Sequence, residues 1–496
     1  MTGRFVTEVL FESAAPWDHA WSEYTRDGQH FFWFEEVPSG GEQLRLMLDG
    51  TPGPTLDRLA GLSEEEGAPI TFSPDGSRFA YVAERGDRFF VGADGEEGPE
   101  FEEVRIPLPT FSPDGRHLVY GARVDGKPRL ILDGTPLAGE SAGNVAFSPD
   151  GTRLAYSVVG THDPSRESVV VDGVPGPEFD GIGADSLFFS PDGSHVVYAA
   201  CNGAKWSLVV DGKPGPEFDA IRLTFDSEYL GVFPAVGYSP DGRRLGYHAQ
   251  RGGKLFVVFD EEEGPPYDDV YPPNFSPDGE HLAYGVVRDG RAWVLLDGVP
   301  GPEFEAVGPI YRFSPDSQHF AYLAERAGRK RLRKTSACFA VLDGRAGPSF
   351  DAVDGVVHFS DDSRHIAFLA NEGGQGFMVV DGARTEPSFD GQSSPIWGAD
   401  GSRLAYVVSS GNKKSLLVVY GQIGPECDEI GGSPQFSPDG EHIAYVAEQA
   451  GVTRPFVDSE AGPAFDSVWG PAFSPDGRVI FFGAQGNTLL RVSMSF

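Results

Sequence analysis

Three sets of side chains recur along this chain in patterns that could do chemistry. The first is a series of carboxylates: Asp57, Glu102, Asp180, Asp219, Asp268, Glu305, Asp351, Asp390, Asp428 and Asp466. Each directly follows an aromatic or apolar residue. On the innermost strands of a ring, these groups would face an axial channel and attract a cation. Hard cations need oxygens clustered within about 2.5 Å, not spread around a wide ring. The expectation is therefore that they cap backbone amides or pair with basic groups of an adjoining unit. The second set is histidine, with seven of the 11 at one place, two residues after a Gly or Ser: His30, His117, His195, His281, His319, His365 and His442. Arg78, Arg153, Arg244 and Arg403 occupy that place elsewhere. Arginine does not ligate metals, so the shared property is hydrogen-bond donation to a carboxylate or carbonyl between units. The third is a basic run holding Arg329, Lys330, Arg331, Arg333 and Lys334, set in a chain of net charge −35. Such a run reads as a solvated loop or as a docking element for an acidic partner.

Enzyme signatures are thin. The chain has no Gly-x-Ser-x-Gly elbow, no His-Glu-x-x-His, no phosphate-binding Gly-rich loop with Lys and no Cys-x-x-Cys. No cofactor is expected. Asn144, Asn274 and Glu228 are the non-repeating polar residues to inspect for an axial metal. The acidic balance, 74 Asp and Glu against 39 Lys and Arg, disfavours nucleic acid and anionic membrane as partners. Three scattered cysteines give neither metal-ligand spacing nor a disulfide framework, which suits a reducing compartment. Glu8 and Glu12 interrupt any apolar leader, so the expected location is cytoplasmic.

The elements that position these groups come from a repeat. Aromatic-Ser-Pro-Asp-Gly follows from Phe72, Phe111, Phe147, Phe189, Tyr238, Phe275, Phe436 and Phe473, with worn copies at Tyr24, Phe313, Phe359 and Trp397. Twelve units in 496 residues make about 41 per unit, the period of a four-stranded propeller blade. Within one unit, proline presets φ at the second turn position and glycine takes the left-handed one. A strand such as His195 to Ala200 follows, then Asn202-Gly203, the strand Trp206 to Val210, the hairpin dipeptide Asp211-Gly212, and a fourth strand through Pro-Gly-Pro-Glu-Phe. In the second strand large residues alternate with small ones, as Phe79-Ala80-Tyr81 and Leu282-Ala283-Tyr284, which suits sheets stacked face to face.

The aromatic-Ser-Pro-Asp-Gly turn followed by Arg or His, an aliphatic, a small residue and Tyr resembles the WD-repeat-like propeller repeats of TolB-type proteins. The resemblance covers roughly residues 20 to 485. It implies propeller architecture and frequent use as an interaction surface, and it implies no catalytic residues. The second motif, Asp-Gly-x-Pro-Gly-Pro-x-Phe-Asp, departs from TolB itself.

The fold class is thus all-β, a propeller of about twelve blades. Propellers typically have four to eight blades, so the favoured arrangement is two abutting six-bladed rings, 1–300 and 301–496, with one large ring as the alternative. Residues 5–11 are expected to close a ring seam, and Thr488 to Ser493 to form an outer strand. Insertions fall at 221–233, with Phe225, Tyr229, Leu230 and Phe233, and at 327–338, an extended hairpin at a rim. The expected function is a non-enzymatic scaffold that presents loops to another protein. The alternative is a ligand-binding or hydrolytic propeller with an axial metal.

Overall fold

The computed structural model describes residues 5–495 apart from 13–21, 25–30, 38–42, 49–50, 60–69, 161–162, 223, 228–230, 235, 331–332, 386–390, 393–394, 410–413, 475–476 and 487. Among these residues there is no helix, and twelve antiparallel sheets of four strands follow one another along the chain. They are numbered here as blades 1 to 12. Their spans are 22–56, 58–101, 104–136, 141–179, 181–214, 220–263, 269–300, 306–346, 352–384, 391–427, 429–461 and 467–494. In blades 2, 5, 6, 7 and 10 the innermost strand is split into two pieces that pair with the same second strand.

The twelve blades form one ring. Eleven hydrophobic clusters each join one blade to the next. At residue 300, the expected division, Ala283, Val294 and Phe304 of blade 7 share a cluster with Val307, Tyr311, Phe320 and Tyr322 of blade 8. Seven blades precede that point and five follow it. The expected closing strand is present: Val6–Glu12 pairs antiparallel with Thr488–Met494, from Val6 opposite Ser493 to Glu12 opposite Thr488. The C-terminal strand is accordingly third of four in blade 12, and the N-terminal strand is outermost. The chain then passes to the first strand of blade 1, which ties the last blade to the first.

The alternation of large and small residues sets the packing direction. In blade 8, Phe320, Tyr322 and Ala324 face blade 7, while Ala321 and Leu323 face blade 9. Tyr322 meets Phe304 edge-on, with ring centroids 6.4 Å apart at 83°. Both are buried, and each contributes about 2–3 kcal/mol by leaving water. Phe304 is the Phe of the Pro-Gly-Pro-x-Phe motif, so that motif supplies the neighbour's core. Its glycine has a separate reason. Gly301 donates its N–H to Val294 O at 2.8 Å, and a Cβ there would meet Val294 O at 3.0 Å and Tyr322 Oη at 3.5 Å.

Candidate functional site

An antiparallel four-stranded blade places its first and third turns on one rim. Its second turn lies on the opposite rim, with the crossing to the next blade. The Ser-Pro-Asp-Gly and Asp-Gly turns therefore share a rim. In blade 5 the fully buried Ser190 donates its Oγ–H to Asp192 Oδ1 at 2.5 Å and accepts the His195 amide at 2.9 Å. The Gly193 amide closes the turn on Ser190 O at 2.8 Å. Successive turns touch. A Cβ on Gly242 would lie 2.6 Å from Asp192 Cγ, and one on Gly151 would lie 2.5 Å from Asp114 Cγ. The worn copies keep this contact in another form. Ser317 and Ser363 take the glycine's place at φ 63°, and their Oγ atoms accept the amides of Asp278 and Asp316 in the preceding blades at 3.0 Å.

These hydrogen bonds make the turns acid-sensitive. The Ser190 and Ser194 hydroxyls hold Asp192 down to about 2. The turn serine is likewise the first cause of lowered carboxyls at Asp75, Asp114, Asp241, Asp278 and Asp439. A depressed folded value contributes stability that is complete above the unfolded value of about 4 and lost as pH falls through the folded one. Denaturant unfolding is therefore expected to show a steep loss of stability between about pH 4 and pH 2, beyond the shallower decline that the buried His248 brings below about pH 6.5. A midpoint unchanged across that lower window would refute the role given to these turns.

The recurrent histidines belong to the same rim. Nδ1 of His117, His195, His281, His319, His365 and His442 donates to Asp133, Asp211, Asp297, Asp343, Asp381 and Asp458 at 2.7 to 2.9 Å. Each partner is the Asp of the same blade's third turn, Asp-Gly in all but Asp458-Ser459, held at φ 48° to 54°. The histidine pair is thus internal to a blade. Arg78, Arg153 and Arg244 at this place make the same pair and also reach forward. Arg153 bonds Asp172 at 2.9 Å and donates to Gly193 O of the next blade at 2.9 Å. Its guanidinium lies 5.2 Å from the Phe189 ring, which explains the aromatic that precedes the turn. His30 lies outside the described residues.

On the opposite rim the carboxylates cap turns. Oδ2 of Asp57, Asp180, Asp219, Asp351 and Asp466 accepts the amide of Gly86, Gly203, Gly252, Gly373 and Gly486 in the next blade, at 2.6 to 2.8 Å. Asp268 takes the Asp289 amide at 2.8 Å, and Asp428 the Gly451 amide at 3.3 Å. The remaining oxygen of several takes a basic group of its own blade: Lys205 on Asp219 at 2.6 Å, Lys254 on Asp268 at 2.5 Å, and Lys414 on Asp428. Glu305 accepts from Arg291 at 2.9 Å. These partners lower the carboxyls of Asp219, Asp268 and Asp428, with the lysine as the largest cause. Glu102 is exposed at the equivalent junction, and Asp390 lies outside the described residues. The axial-cation reading thus meets carboxylates already engaged between blades. Among the described residues no three His, Cys, Asp or Glu side chains are grouped to hold a metal. Asn144 bonds Ser157 Oγ at 3.3 Å, and Asn274 donates to Tyr311 O of the next blade at 2.8 Å. Glu228 is outside the described residues.

The basic run lies on this rim. The second and third strands of blade 8, Phe320–Lys330 and Arg333–Leu342, are 11 and 10 residues long. Their counterparts in blade 7 have 7 and 6. The ladder continues to Arg329 opposite Lys334 and Lys330 opposite Arg333. Arg331, at the tip, is outside the described residues. At about 3.3 Å per residue, four extra residues lengthen the ladder by roughly 13 Å over that of blade 7. Its base is anchored, because the Arg326 guanidinium lies 5.0 Å from the Phe304 ring and 5.7 Å from the Phe339 ring. The insertion at 221–233 is a hairpin too. Thr224–Ser227 pairs with Gly231–Pro234, setting Phe225 opposite Phe233. It interrupts the innermost strand of blade 6, the strand that borders a propeller's axis. Tyr229 and Leu230 lie outside the described residues.

One polar group was not singled out by its sequence. His248 follows Tyr247 where other blades carry Val82, Ala199, Leu323 or Leu369, and it is fully buried. Burial pushes it down to about 3, with the Tyr271 backbone pulling the other way, and neither ring nitrogen has a hydrogen bond of good geometry. The signal available was a histidine outside the repeated place. Cys201, Cys338 and Cys427 form no disulfide with one another, and the last of them is buried.

No protein-family model matches the chain, and no curated protein does. Among solved structures, it is similar to one described as the crystal structure of the eukaryotic initiation factor. Identity is 13%, over 87% of this chain and 96% of that chain, with a TM-score of 0.34. It is also similar to dihydro-heme d1 dehydrogenase NirN in complex with DHE, at 17% identity, 70% of this chain, 72% of that chain and a TM-score of 0.27. Likenesses at these scores carry no inference about activity. No helix of the described residues is long and apolar enough to cross a membrane.

Proposed function

We propose that this protein is a non-enzymatic interaction scaffold, built from WD-repeat-like, TolB-type repeats, that docks an acidic partner protein through the basic hairpin of blade 8. The observation that carries this reading is the hairpin itself. It extends beyond its neighbours, is anchored at its base, and bears Arg329, Lys330, Arg331, Arg333 and Lys334 in a chain of net charge −35. A long basic arm on an otherwise acidic body, extended by its own ladder, suits capture of an acidic partner. Electrostatic docking of this kind gives specificity and a salt-dependent on-rate. A cytoplasmic setting belongs to this reading and accords with three cysteines that form no disulfide.

The test is an affinity pull-down from native lysate with wild type and a variant neutralised at those five positions. A near-stoichiometric partner is expected with wild type, lost in the variant and released by salt. Retention of the partner by the neutralised variant would remove the hairpin from the function. A wild type that captures nothing would sink the scaffold reading as a whole.

A further inference from the structure

Clefts open between successive blades on the rim of the Ser-Pro-Asp-Gly turns, and the one between blades 9 and 10 has an altered wall. It has a volume of about 350 Å³ and is lined by His365, Asp381, Thr385, Trp397, Tyr406 and Tyr420. Trp397 stands where the other copies of the turn have Phe or Tyr. Thr385 stands where Gly347 stands one blade earlier, and its amide makes the same bond, to Met378 O. Tyr420 replaces the turn Asp found in nine other blades, which the matching bond of its amide to Leu404 O confirms. It holds φ 51° and is 70% exposed. A bulky side chain in the left-handed region is strained, and such strain persists where something else requires the residue. The substitution also deprives Arg403 of its usual carboxylate, leaving its guanidinium on Glu441 O.

The wall is rich in rings and poor in free polar groups. His365 stacks on Trp397, with centroids 6.0 Å apart at 20°. Asp381 is already engaged by His365 at 2.7 Å and by the Ile366 amide at 3.0 Å. Thr385 bonds Met378 O and Tyr406 Oη, each at 3.1 Å, and Ser402 bonds Asp400 at 2.5 Å. Besides the exposed Tyr420 hydroxyl, the exception is a donor: Trp397 Nε1 is buried with no hydrogen-bond partner. An occupant rich in hydroxyls would leave them unpaired against such a wall. An occupant of apolar rings and carbonyls, with few N–H groups of its own, fits it, and a proline-rich chain has that composition. Its rings pack on Trp397, Tyr406 and Tyr420. Its carbonyls accept from the Tyr420 hydroxyl and, once the indole turns into the cleft, from Trp397 Nε1. The chain's net charge of −35 favours a basic flank on such a segment.

We propose that the cleft between blades 9 and 10 binds a proline-rich segment of a partner protein, in the polyproline conformation and flanked by a basic residue. The site is on the rim opposite the basic hairpin and does not depend on it. The test titrates the full-length protein with a capped peptide of prolines bearing an arginine at each end, by calorimetry. Saturable binding of one peptide per chain is expected. Tyr420→Asp restores the residue of the other blades and gives Arg403 back its carboxylate. It is expected to raise the thermal midpoint while weakening binding by at least about tenfold. Trp397→Phe, also a residue of the other copies, is expected to keep the fold and weaken binding. The proposal is overturned by absent saturation with wild type, by equal affinity in all three proteins, or by maltose binding here in preference to the peptide.

Discussion

Ser190→Ala is expected to lower the unfolding free energy by about 3 kcal/mol, well beyond an ordinary surface change. The serine is fully buried, and its hydroxyl serves two partners at once, as donor to Asp192 and acceptor from the His195 amide. Alanine leaves that amide without a partner beside a turn that cannot open, because Gly242 of the next blade packs on the Asp192 side chain. An orphaned buried donor costs about 1–3 kcal/mol, and loss of a hydrogen bond to a charged acceptor adds to it. Asp192 also loses the largest cause of its lowered pKa. The variant should therefore show a weaker acid dependence than wild type as well as a lower midpoint. Denaturant melts of both proteins near neutrality and at about pH 3 read the two effects separately. A variant within about 0.5 kcal/mol of wild type at neutral pH would mean that the serine is not the lock of the turn.

The turn also shows how far the sequence could be read. Pro191 and Gly193 announce themselves because each presets a backbone angle that few other residues adopt. Ser190 does not, since its task is defined by an amide five residues away. The same holds for the carboxylates. Asp219 follows Phe218 with perfect regularity, but its partner, Gly252, lies 33 residues on in the next blade. Spacing along a chain gives the period of a propeller without showing which blade meets which. For that reason the number of rings was also hidden. Nothing local distinguishes a seam at residue 300 from any other junction, and only the cluster joining Phe304 to Tyr322 shows that the ring runs on. The basic hairpin was legible because it is an excess of length and charge inside a regular period. The aromatic wall at Trp397 and Tyr420 was not, because the two positions lie 23 residues apart and each reads singly as a worn copy of a motif.

Deleting residues 1–12 is expected to be at least as damaging, at roughly 3–4 kcal/mol, and to change the oligomeric state. Val6 and Val9 of the N-terminal strand contribute little through their side chains, since both are more than half exposed. The strand's contribution is the ladder from Val6 to Glu12 along the C-terminal strand, with Phe5 packed on the cluster of Phe465, Phe481 and Val492. Without it, Thr488–Met494 becomes a free edge directly above the buried Leu489 and Val492. An apolar edge strand with unpaired amides recruits another copy of itself, so sedimentation should show dimers or larger species where wild type shows one. The ion pair between Glu8 and Arg491, 2.5 Å long, offers the control. It is exposed, and Glu8→Ala alone should cost less than about 1 kcal/mol and leave the sedimentation unchanged. If the point variant matched the deletion, the seam would be held by charge; if the deletion left stability and size untouched, the strand would not close the ring.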